Sequence, residues 1–336
     1  MFIKYLKLEY LKIILDIFRR DILYYSSKLL NKCKLEPYYL KTFDQMSKDN
    51  QHKPSKHWEK LFKNMRKEMM IYGLSNFKRG YANRHFANRN PKTTIELSAI
   101  WQYYNTVKSK DRFDILKKFP ESKVGNPCQI EINKSHYSWD YIQAIDEFYN
   151  IFNTFNLKLN EKLVICEIGG GYGRLAEVFL KVMSNCHYVL VDLPESLIIS
   201  YYYLSKINEK NVHRYENSRD IPEYNRNIFL NKKVTFLLPN QFSKISKGSV
   251  DIFINIDSFQ EMTPEIIKNY FKDIQNLKGK YLYLKNSKAE YHNLVDTNSF
   301  NLIEYPKILK LKLIKEQISI PYDDMVEQFI RLDKNG

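Results

Sequence analysis

A glycine-rich turn is the stretch of this chain whose residue types and spacing most directly imply chemistry. Residues 164–177, VICEIGGGYGRLAE, form an apolar run that breaks into glycines and continues as an amphipathic helix. Glycines allow a tight turn and a close approach of ligand to backbone, and a helix N-terminus presents unpaired N–H groups. We therefore predict a binding site formed by Glu167, Gly169, Gly170, Gly171, Tyr172, Gly173 and Arg174.

A second acid lies at the end of the next apolar run. Residues 187–192, HYVLVD, end in Asp192, and Leu193 and Pro194 follow. A carboxylate at the tip of the second strand of a parallel sheet can accept hydrogen bonds from both ribose hydroxyls of a nucleoside. The two motifs together predict a nucleoside-containing cofactor held in part by Asp192 and Leu193.

Two kinds of cofactor fit these motifs. The acid two places before the first glycine gives E-x-G-x-G-x-G, which is typical of S-adenosylmethionine-dependent methyltransferases. Gly171, Gly173 and Ala176 also fit the G-x-G-x-x-A of dinucleotide sites. Glu167 would repel a pyrophosphate at the helix N-terminus, whereas the ammonium and sulfonium of S-adenosylmethionine favour a nearby acid. The residues therefore favour S-adenosylmethionine over a dinucleotide.

Alternating strands and helices must position these motifs. Apolar runs predict strands at 164–168, 187–192, 234–238, 250–255, 280–284, 308–314 and 325–332. Periodicity and capping signals predict helices at 57–72, 138–155, 197–207 and from 263 onward. Strands joined by crossover helices form a parallel sheet covered on both faces, with ligands at the carboxyl ends of the strands.

Length and cysteine usage predict the organisation of the chain. Its 336 residues exceed a single nucleotide-binding domain of about 150–200 residues. We predict a mainly helical region over 1–150, for oligomerisation or acceptor binding, and a cofactor-binding domain over 151–336. The four cysteines (Cys33, Cys128, Cys166 and Cys186) are scattered, which indicates a reducing cytoplasm and no zinc site.

The charge is strongly basic, with 53 Lys and Arg against 38 Asp and Glu, a net +15. This permits anionic partners, but the lysines are spread along the whole chain, as general compositional drift would also produce. Residues 1–30 are too interrupted by charges for a membrane span or a secretory signal. They predict an amphipathic helix that packs on the domain or on a second copy; a peripheral membrane contact stays open.

A basic, aromatic segment over 77–91, FKRGYANRHFANRNP, lacks helical periodicity. Arginine guanidinium groups bind phosphate through paired hydrogen bonds, and aromatic rings pack on the apolar faces of sugars. A solvated basic loop would have the same composition. We predict an acceptor-binding loop that uses Arg79, Tyr81, Arg84 and His85.

Residues 163–292 resemble the sugar O-methyltransferases found in bacterial and viral surface-glycan gene sets. The matching elements are EIGGGYGRLAEVF at 167–179, VDLPE at 191–195, SFQEM at 258–262 and YLYLKN at 281–286. The first 150 residues resemble that family only loosely. The resemblance implies a Rossmann-like class I methyltransferase sheet of seven strands, mostly parallel, with an antiparallel C-terminal strand. It also implies methyl transfer from S-adenosylmethionine to a sugar hydroxyl, in surface-glycan or nucleotide-sugar biosynthesis.

Such a transfer needs an in-line oxygen, a proton acceptor and exclusion of water. The predicted bases just past the fourth and fifth strands are Glu261, Asp257 and His292. Glu261 precedes the helix that begins at Pro264, so it is either the base or a partner of that helix's free N–H groups. These three residues do not have a diagnostic metal spacing, so Mg²⁺ is not predicted. Further donor contacts are predicted from Asn240, Gln241 and Asn255.

Two rival classes stay open. A nucleic-acid methyltransferase would suit the basic charge, but residues 255–258, NIDS, lack the Asn/Asp-Pro-Pro-aromatic run of enzymes that methylate base amino groups. A non-catalytic protein that keeps the donor pocket is the second rival. We therefore expect a sugar, nucleotide-sugar or glycan acceptor and no nucleic acid.

Overall fold

The computed structural model of the chain describes residues 34–52, 54, 56–78, 94–287 and 302–333. The amphipathic helix predicted within residues 1–30 lies outside this part of the chain. Among the described residues, none of the helices combines the length and apolarity that a membrane span requires.

A seven-stranded sheet forms the centre of the molecule. A short antiparallel hairpin, β1 (Ile130–Ile132) and β2 (Ser135–Tyr137), precedes it in the chain. The sheet strands are β3 (Leu163–Ile168), β4 (Cys186–Val191), β5 (Val234–Leu237), β6 (Ile252–Ile256), β7 (Tyr281–Ser287), β8 (Lys312–Ile318) and β9 (Met325–Arg331). Their order is β5-β4-β3-β6-β7-β9-β8. Neighbours from β5 to β7 pair in parallel, whereas β9 runs antiparallel between β7 and β8.

Helices precede the sheet and connect its strands. The first five are α1 (Pro37–Asp49), α2 (Lys56–Tyr72), α3 (Thr94–Lys110), α4 (Ile115–Lys118) and α5 (Trp139–Thr154). Within the sheet region follow α6 (Arg174–Val182), α7 (Pro194–Asn208), α8 (Tyr215–Ser218), α9 (Arg226–Leu230), α10 (Pro264–Leu277) and α11 (Tyr305–Ile308). This architecture confirms the predicted Rossmann-like sheet with an antiparallel C-terminal strand.

Burial on both faces explains why the central strands read as continuous apolar runs. Every residue of β3, β4, β5 and β6 is buried. Successive side chains of a strand point to opposite faces, so Leu163 and Ile165 join one hydrophobic cluster and Val164 and Cys166 the other. The first cluster also takes in α1, α2, α3 and α5. The predicted division into 1–150 and 151–336 stays a prediction.

Two elements differ from the sequence-based prediction. The strand predicted at 308–314 was misplaced, because Tyr305–Ile308 is helical and β8 begins only at Lys312. As an edge strand, β8 is largely exposed and has no apolar run to mark it. The β1–β2 hairpin lies in a region predicted as mainly helical. Its turn, Asn133-Lys134, has positive φ at both residues, which is the conformation that two-residue hairpin loops prefer.

A buried ion cluster joins α5, α6 and β7. Glu147 of α5 accepts two hydrogen bonds from the Arg174 guanidinium, at 2.6 and 2.9 Å, and a third from Lys285 Nζ at 2.9 Å. The Glu147 and Lys285 side chains are fully buried. Burial alone would raise the pKa of Glu147, but Arg174 and Lys285 hold that pKa below its usual value. We call Glu147, Arg174 and Lys285 the ion triad.

We predict that Glu147→Ala destabilises the protein by about 3–5 kcal/mol, because it leaves two cations without their buried partner. Urea denaturation followed by circular dichroism measures the change. Glu131→Ala, at an exposed position of β1, is the control and should change stability little. Equal stability of the two variants would show that the ion triad does not hold these elements together.

Candidate functional site

The glycine turn connects β3 to α6 and lies against the loop after β6. Gly169 has φ +73°, and a Cβ at this position would clash with Ser258 Oγ. Gly173 has φ +86° and is the N-cap of α6; a Cβ there would lie 2.9 Å from Leu204 Cδ1. Only glycine fits both positions without strain. The turn therefore brings the helix N-terminus close to the carboxyl end of the neighbouring strand.

Two acids predicted to hold the donor lie on adjacent parallel strands. Asp192, directly after β4, accepts hydrogen bonds from the backbone N–H groups of Gly171 (3.1 Å) and Leu193 (2.7 Å). Glu167 of β3 accepts one from Tyr188 Oη at 2.8 Å. Burial raises the pKa of Asp192 to about 7 and that of Glu167 to about 8. Both carboxyl groups would gain from a bound cation or from hydroxyl donors, which stabilise the ionised form.

These groups line a cavity of about 1250 Å³ at the carboxyl ends of the parallel strands. This is larger than the roughly 300–1,000 Å³ typical of a site for one small ligand, so it has room for a donor and an acceptor. Its wall includes Glu167, Gly169, Gly170, Gly171, Tyr172, Arg174, Asp192, Leu193 and Asn240, nine of the predicted donor-site residues.

Two predicted donor residues instead support the strand ends. Asn255 is fully buried; its Nδ2 donates to the Ile168 carbonyl at 2.9 Å, and its Oδ1 accepts from Phe259 N–H at 3.1 Å. Gln241 accepts from Leu238 N–H at 2.8 Å and donates to the Arg219 carbonyl at 3.2 Å. Neither is part of the described cavity wall. Both side chains fix the backbone that carries the site.

The predicted bases Asp257 and Glu261 lie on one loop of the cavity wall. Asp257 directly follows β6 with φ +56°, and its N–H donates to the Lys285 carbonyl at 2.8 Å. Although its side chain is exposed to the cavity, the surrounding protein raises its pKa to about 6, chiefly by desolvation. Burial also raises the pKa of Glu261, to about 8, and the negative charge of Asp257 adds to this effect.

The hydrogen-bond partners of Thr263 and Glu261 show which of these two residues caps the N-terminus of α10. Thr263 is the N-cap of α10, and its Oγ1 accepts from Ile266 N–H at 3.5 Å. The Glu261 carboxylate instead accepts a hydrogen bond from Trp58 Nε1 at 2.8 Å. The capping role thus belongs to Thr263, and the Glu261 carboxyl group faces the cavity.

Five predicted site residues, Arg79, Tyr81, Arg84, His85 and His292, lie outside the described residues. Their roles stay predictions. Within the described ranges, no group of three or more His, Cys, Asp or Glu side chains is arranged to hold a metal ion.

Four of the cavity residues that the sequence analysis missed come from elements distant from the predicted motifs. Trp58 comes from α2, Gln143 from α5, and Tyr322 and Asp324 from the β8–β9 connection. Trp139 Nε1 donates to Tyr322 Oη at 2.9 Å, so α5 also supports the β8–β9 connection. No local motif marks any of these residues. They are identified only in the folded structure, because they line the same cavity as the glycine turn and Asp257.

Several solved structures similar to this chain are methyltransferases. One is an S-adenosylmethionine-dependent methyltransferase from Aquifex aeolicus, with 14% identity over 68% of this chain and 98% of that chain, at a TM-score of 0.40. A second is the mitomycin 7-O-methyltransferase MmcR, with 12% identity over 82% of this chain and 67% of that chain, at a TM-score of 0.38. A third is the magnesium protoporphyrin IX methyltransferase from Synechocystis PCC 6803, crystallised with S-adenosylmethionine. It has 11% identity over 81% of this chain and 97% of that chain, at a TM-score of 0.40.

No protein-family model matches the chain, and no curated protein matches it in sequence. The strand order and the site define the class of the fold. A sheet of order β5-β4-β3-β6-β7-β9-β8, with only β9 antiparallel to its two neighbours, is the class I methyltransferase fold. The glycine turn and Asp192 lie at its carboxyl edge, where ligands of such sheets bind.

We predict that Asp192→Asn weakens binding of S-adenosylhomocysteine by about 1.5–3 kcal/mol, because it loses charge-assisted hydrogen bonds to the ribose. Isothermal titration calorimetry measures the affinity. Asp220→Asn, at a side chain that is 85% exposed, is the control. Unchanged affinity in Asp192→Asn, or a preference for NAD, would contradict this assignment.

We also predict that donor affinity rises with pH. The pKa of Asp192 is about 7, so this carboxyl group is mostly protonated at pH 6 and mostly ionised at pH 8. Ribose hydroxyls donate to the ionised form, so affinity should rise about tenfold between pH 6 and pH 8, and binding should release protons. Glu167 titrates in the same direction. Calorimetry at both pH values should show a smaller rise in donor affinity for Asp192→Asn than for the unaltered protein. An equal rise would show that ionisation of Asp192 does not cause the pH dependence of the affinity.

Proposed function

We propose that this chain is a cytoplasmic S-adenosylmethionine-dependent methyltransferase that methylates a hydroxyl group of a sugar, in surface-glycan or nucleotide-sugar biosynthesis. One observation carries the proposal. Two acids suited to the donor, the buried Glu167 and the half-buried Asp192, share a single cavity with the half-buried Glu261, whose carboxyl group can accept a proton.

The charges at the donor end support S-adenosylmethionine over a dinucleotide. Glu167 and Asp192 lie beside the N-terminus of α6, where a pyrophosphate would otherwise bind. Arg174, the first residue of α6, is already paired with Glu147 in the ion triad. A pyrophosphate would therefore meet two acids and no available guanidinium, whereas an ammonium or sulfonium would be stabilised.

The loop after β6 supplies the groups that methyl transfer to a hydroxyl requires. S-adenosylmethionine supplies an activated methyl group when bound. Glu261 would accept the proton of the acceptor hydroxyl as its oxygen forms the new C–O bond, while the methyl C–S bond breaks and S-adenosylhomocysteine leaves. A base with a pKa of about 8 is well matched to this task near neutral pH, because it is strong enough to take the proton and still partly ionised. Asp257 is the alternative base on the same loop.

The remaining charges of the cavity support an acceptor that is uncharged where it reacts. Asp257, Glu261 and Asp324 line the wall, whereas Arg174 and Lys285 both pair with Glu147, which offsets one of their two positive charges. Lys272 and Asp273 of α10 add one charge of each sign. Asp257, with a pKa of about 6, is mostly ionised at neutral pH, and its negative charge disfavours a phosphate group at the reacting centre. The net +15 of the chain is therefore not concentrated where a nucleic acid would have to react.

Glu261→Gln should leave S-adenosylhomocysteine affinity intact and slow methylation by about 10²–10⁴-fold, the usual contribution of a general base. Transfer of radiolabelled methyl from S-adenosylmethionine to a panel of free sugars, glycosides and nucleotide-sugars measures the rate. Glu265→Gln, at an exposed residue in the first turn of α10, is the matched control. A near-normal rate in Glu261→Gln would move the base assignment to Asp257 or His292.

The same assay separates the rival functions. Methylation of nucleic acid, with binding that falls steeply as salt rises, would favour the nucleic-acid methyltransferase. Donor binding without turnover on any sugar, nucleotide-sugar or isolated glycan would favour the non-catalytic protein. Either result would overturn the proposed sugar O-methylation.

A further inference from the structure

Trp58 joins the helical region before the sheet to the proposed base. Its indole lies in the first turn of α2, and its Nε1–H donates to Glu261 Oε2 at 2.8 Å. The indole packs on Phe62, one turn further along α2, with ring centroids 5.0 Å apart. Trp58 also lines the cavity. A residue 203 positions away in the chain thus contacts the carboxyl group proposed to take the acceptor's proton.

Ion pairs and hydrogen bonds tie α1 and α2 to the loops that follow the sheet strands. Arg66 of α2 binds Glu195 at the start of α7, with Nε 2.7 Å from Oε1. Asp49 at the end of α1 pairs with Arg219 at 2.7 Å, and its carbonyl accepts from Asn240 Nδ2 at 3.2 Å. These contacts lie on both sides of Trp58 in the sequence. The indole therefore reaches Glu261 from a supported backbone.

We propose that Trp58 is a positioning residue for Glu261. The indole N–H holds Oε2 and so fixes the orientation of the carboxyl group. Within the described part of the chain, Glu261 Oε1 has no hydrogen-bond partner, which leaves this oxygen for the acceptor hydroxyl. The catalytic part of this inference rests on the proposed function, because it takes Glu261 as the base.

The same hydrogen bond affects the ionisation of Glu261. Burial raises the pKa of this carboxyl group, and the neighbouring Asp257 and, more weakly, Asp192 add negative charge. The Trp58 N–H opposes them, because a donor stabilises the ionised carboxylate. Lys272 and Asp273 of α10 line the same cavity and contribute opposite charges. Removal of the indole N–H should therefore leave less of Glu261 ionised at neutral pH.

A kinetic experiment tests the catalytic part. Trp58→Phe keeps an aromatic ring beside Phe62 and removes the donor. We expect kcat to fall about tenfold at pH 7 and the acid limb of the kcat profile to move to higher pH, with S-adenosylhomocysteine affinity unchanged. Trp101→Phe, at an indole that is 56% exposed on α3, is the control for the same chemical change. An unmoved acid limb in Trp58→Phe would overturn the positioning role.

A second experiment requires no acceptor and is read on the full chain. The chain has three tryptophans, so NMR spectra of ¹⁵N-tryptophan-labelled protein contain three indole N–H signals. The signal that disappears in Trp58→Phe is assigned to Trp58. We expect this signal to titrate with a midpoint near pH 8, and Glu261→Gln to shift it and abolish the titration. A Trp58 signal insensitive to Glu261→Gln would overturn the inference directly. If no sugar is methylated, the proposed function fails. This titration still decides whether the Trp58 indole N–H is hydrogen-bonded to the Glu261 carboxyl group.

Discussion

The pairing of Glu147 with Arg174 and Lys285 is the interaction on which the rest of the structure depends. It connects a helix that precedes the sheet, the helix that follows the glycine turn, and the central strand β7. Buried charges are stable only when they are fully paired, so these three elements have to keep one relative position. The carboxyl ends of β3 and β7 border the same cavity, and the ion triad therefore also fixes the geometry of its wall.

The ion triad also determines the charge that a ligand would meet. Without Glu147, the cavity would present a guanidinium at the N-terminus of α6 and an ammonium on β7. With Glu147 in place, both cations are paired and one of their two positive charges is offset, so the carboxyl groups that line the cavity outnumber its cations. A protein with a net charge of +15 thus contains an acidic cavity. This local charge, rather than the net charge, agrees with a cationic donor and an uncharged acceptor hydroxyl.

The helices before the sheet contribute to the site as well as to the core. Residues of α1, α2, α3 and α5 share one hydrophobic cluster with one face of the sheet. From this packed surface, Trp58 and Gln143 reach the cavity wall, and Asp49 contacts Asn240 after β5. The half of the cavity predicted to bind the donor is built by local motifs of the sheet. Its other half needs side chains from distant parts of the chain.

The sequence by itself determined most of the sheet and the place of its two strand-end motifs. Buried parallel strands appear as apolar runs because both faces are covered, and the strand, turn and helix of the first motif are contiguous in the chain. The positions of Glu167, Gly169 and Asp192 on the cavity wall were predictable for this reason. The exposed edge strand β8 was misplaced because exposure removes the apolar signal.

Only the tertiary structure decided which polar residues face the cavity. Asn255 and Gln241 follow strands as ligand-binding residues do, yet their amides are used by neighbouring backbone groups. Glu147 looks like any acid on an amphipathic helix until the fold places Arg174 and Lys285 beside it. Trp58 meets Glu261 across 203 residues. Contacts of this kind leave no periodic or local pattern, because they arise from the packing of separate elements.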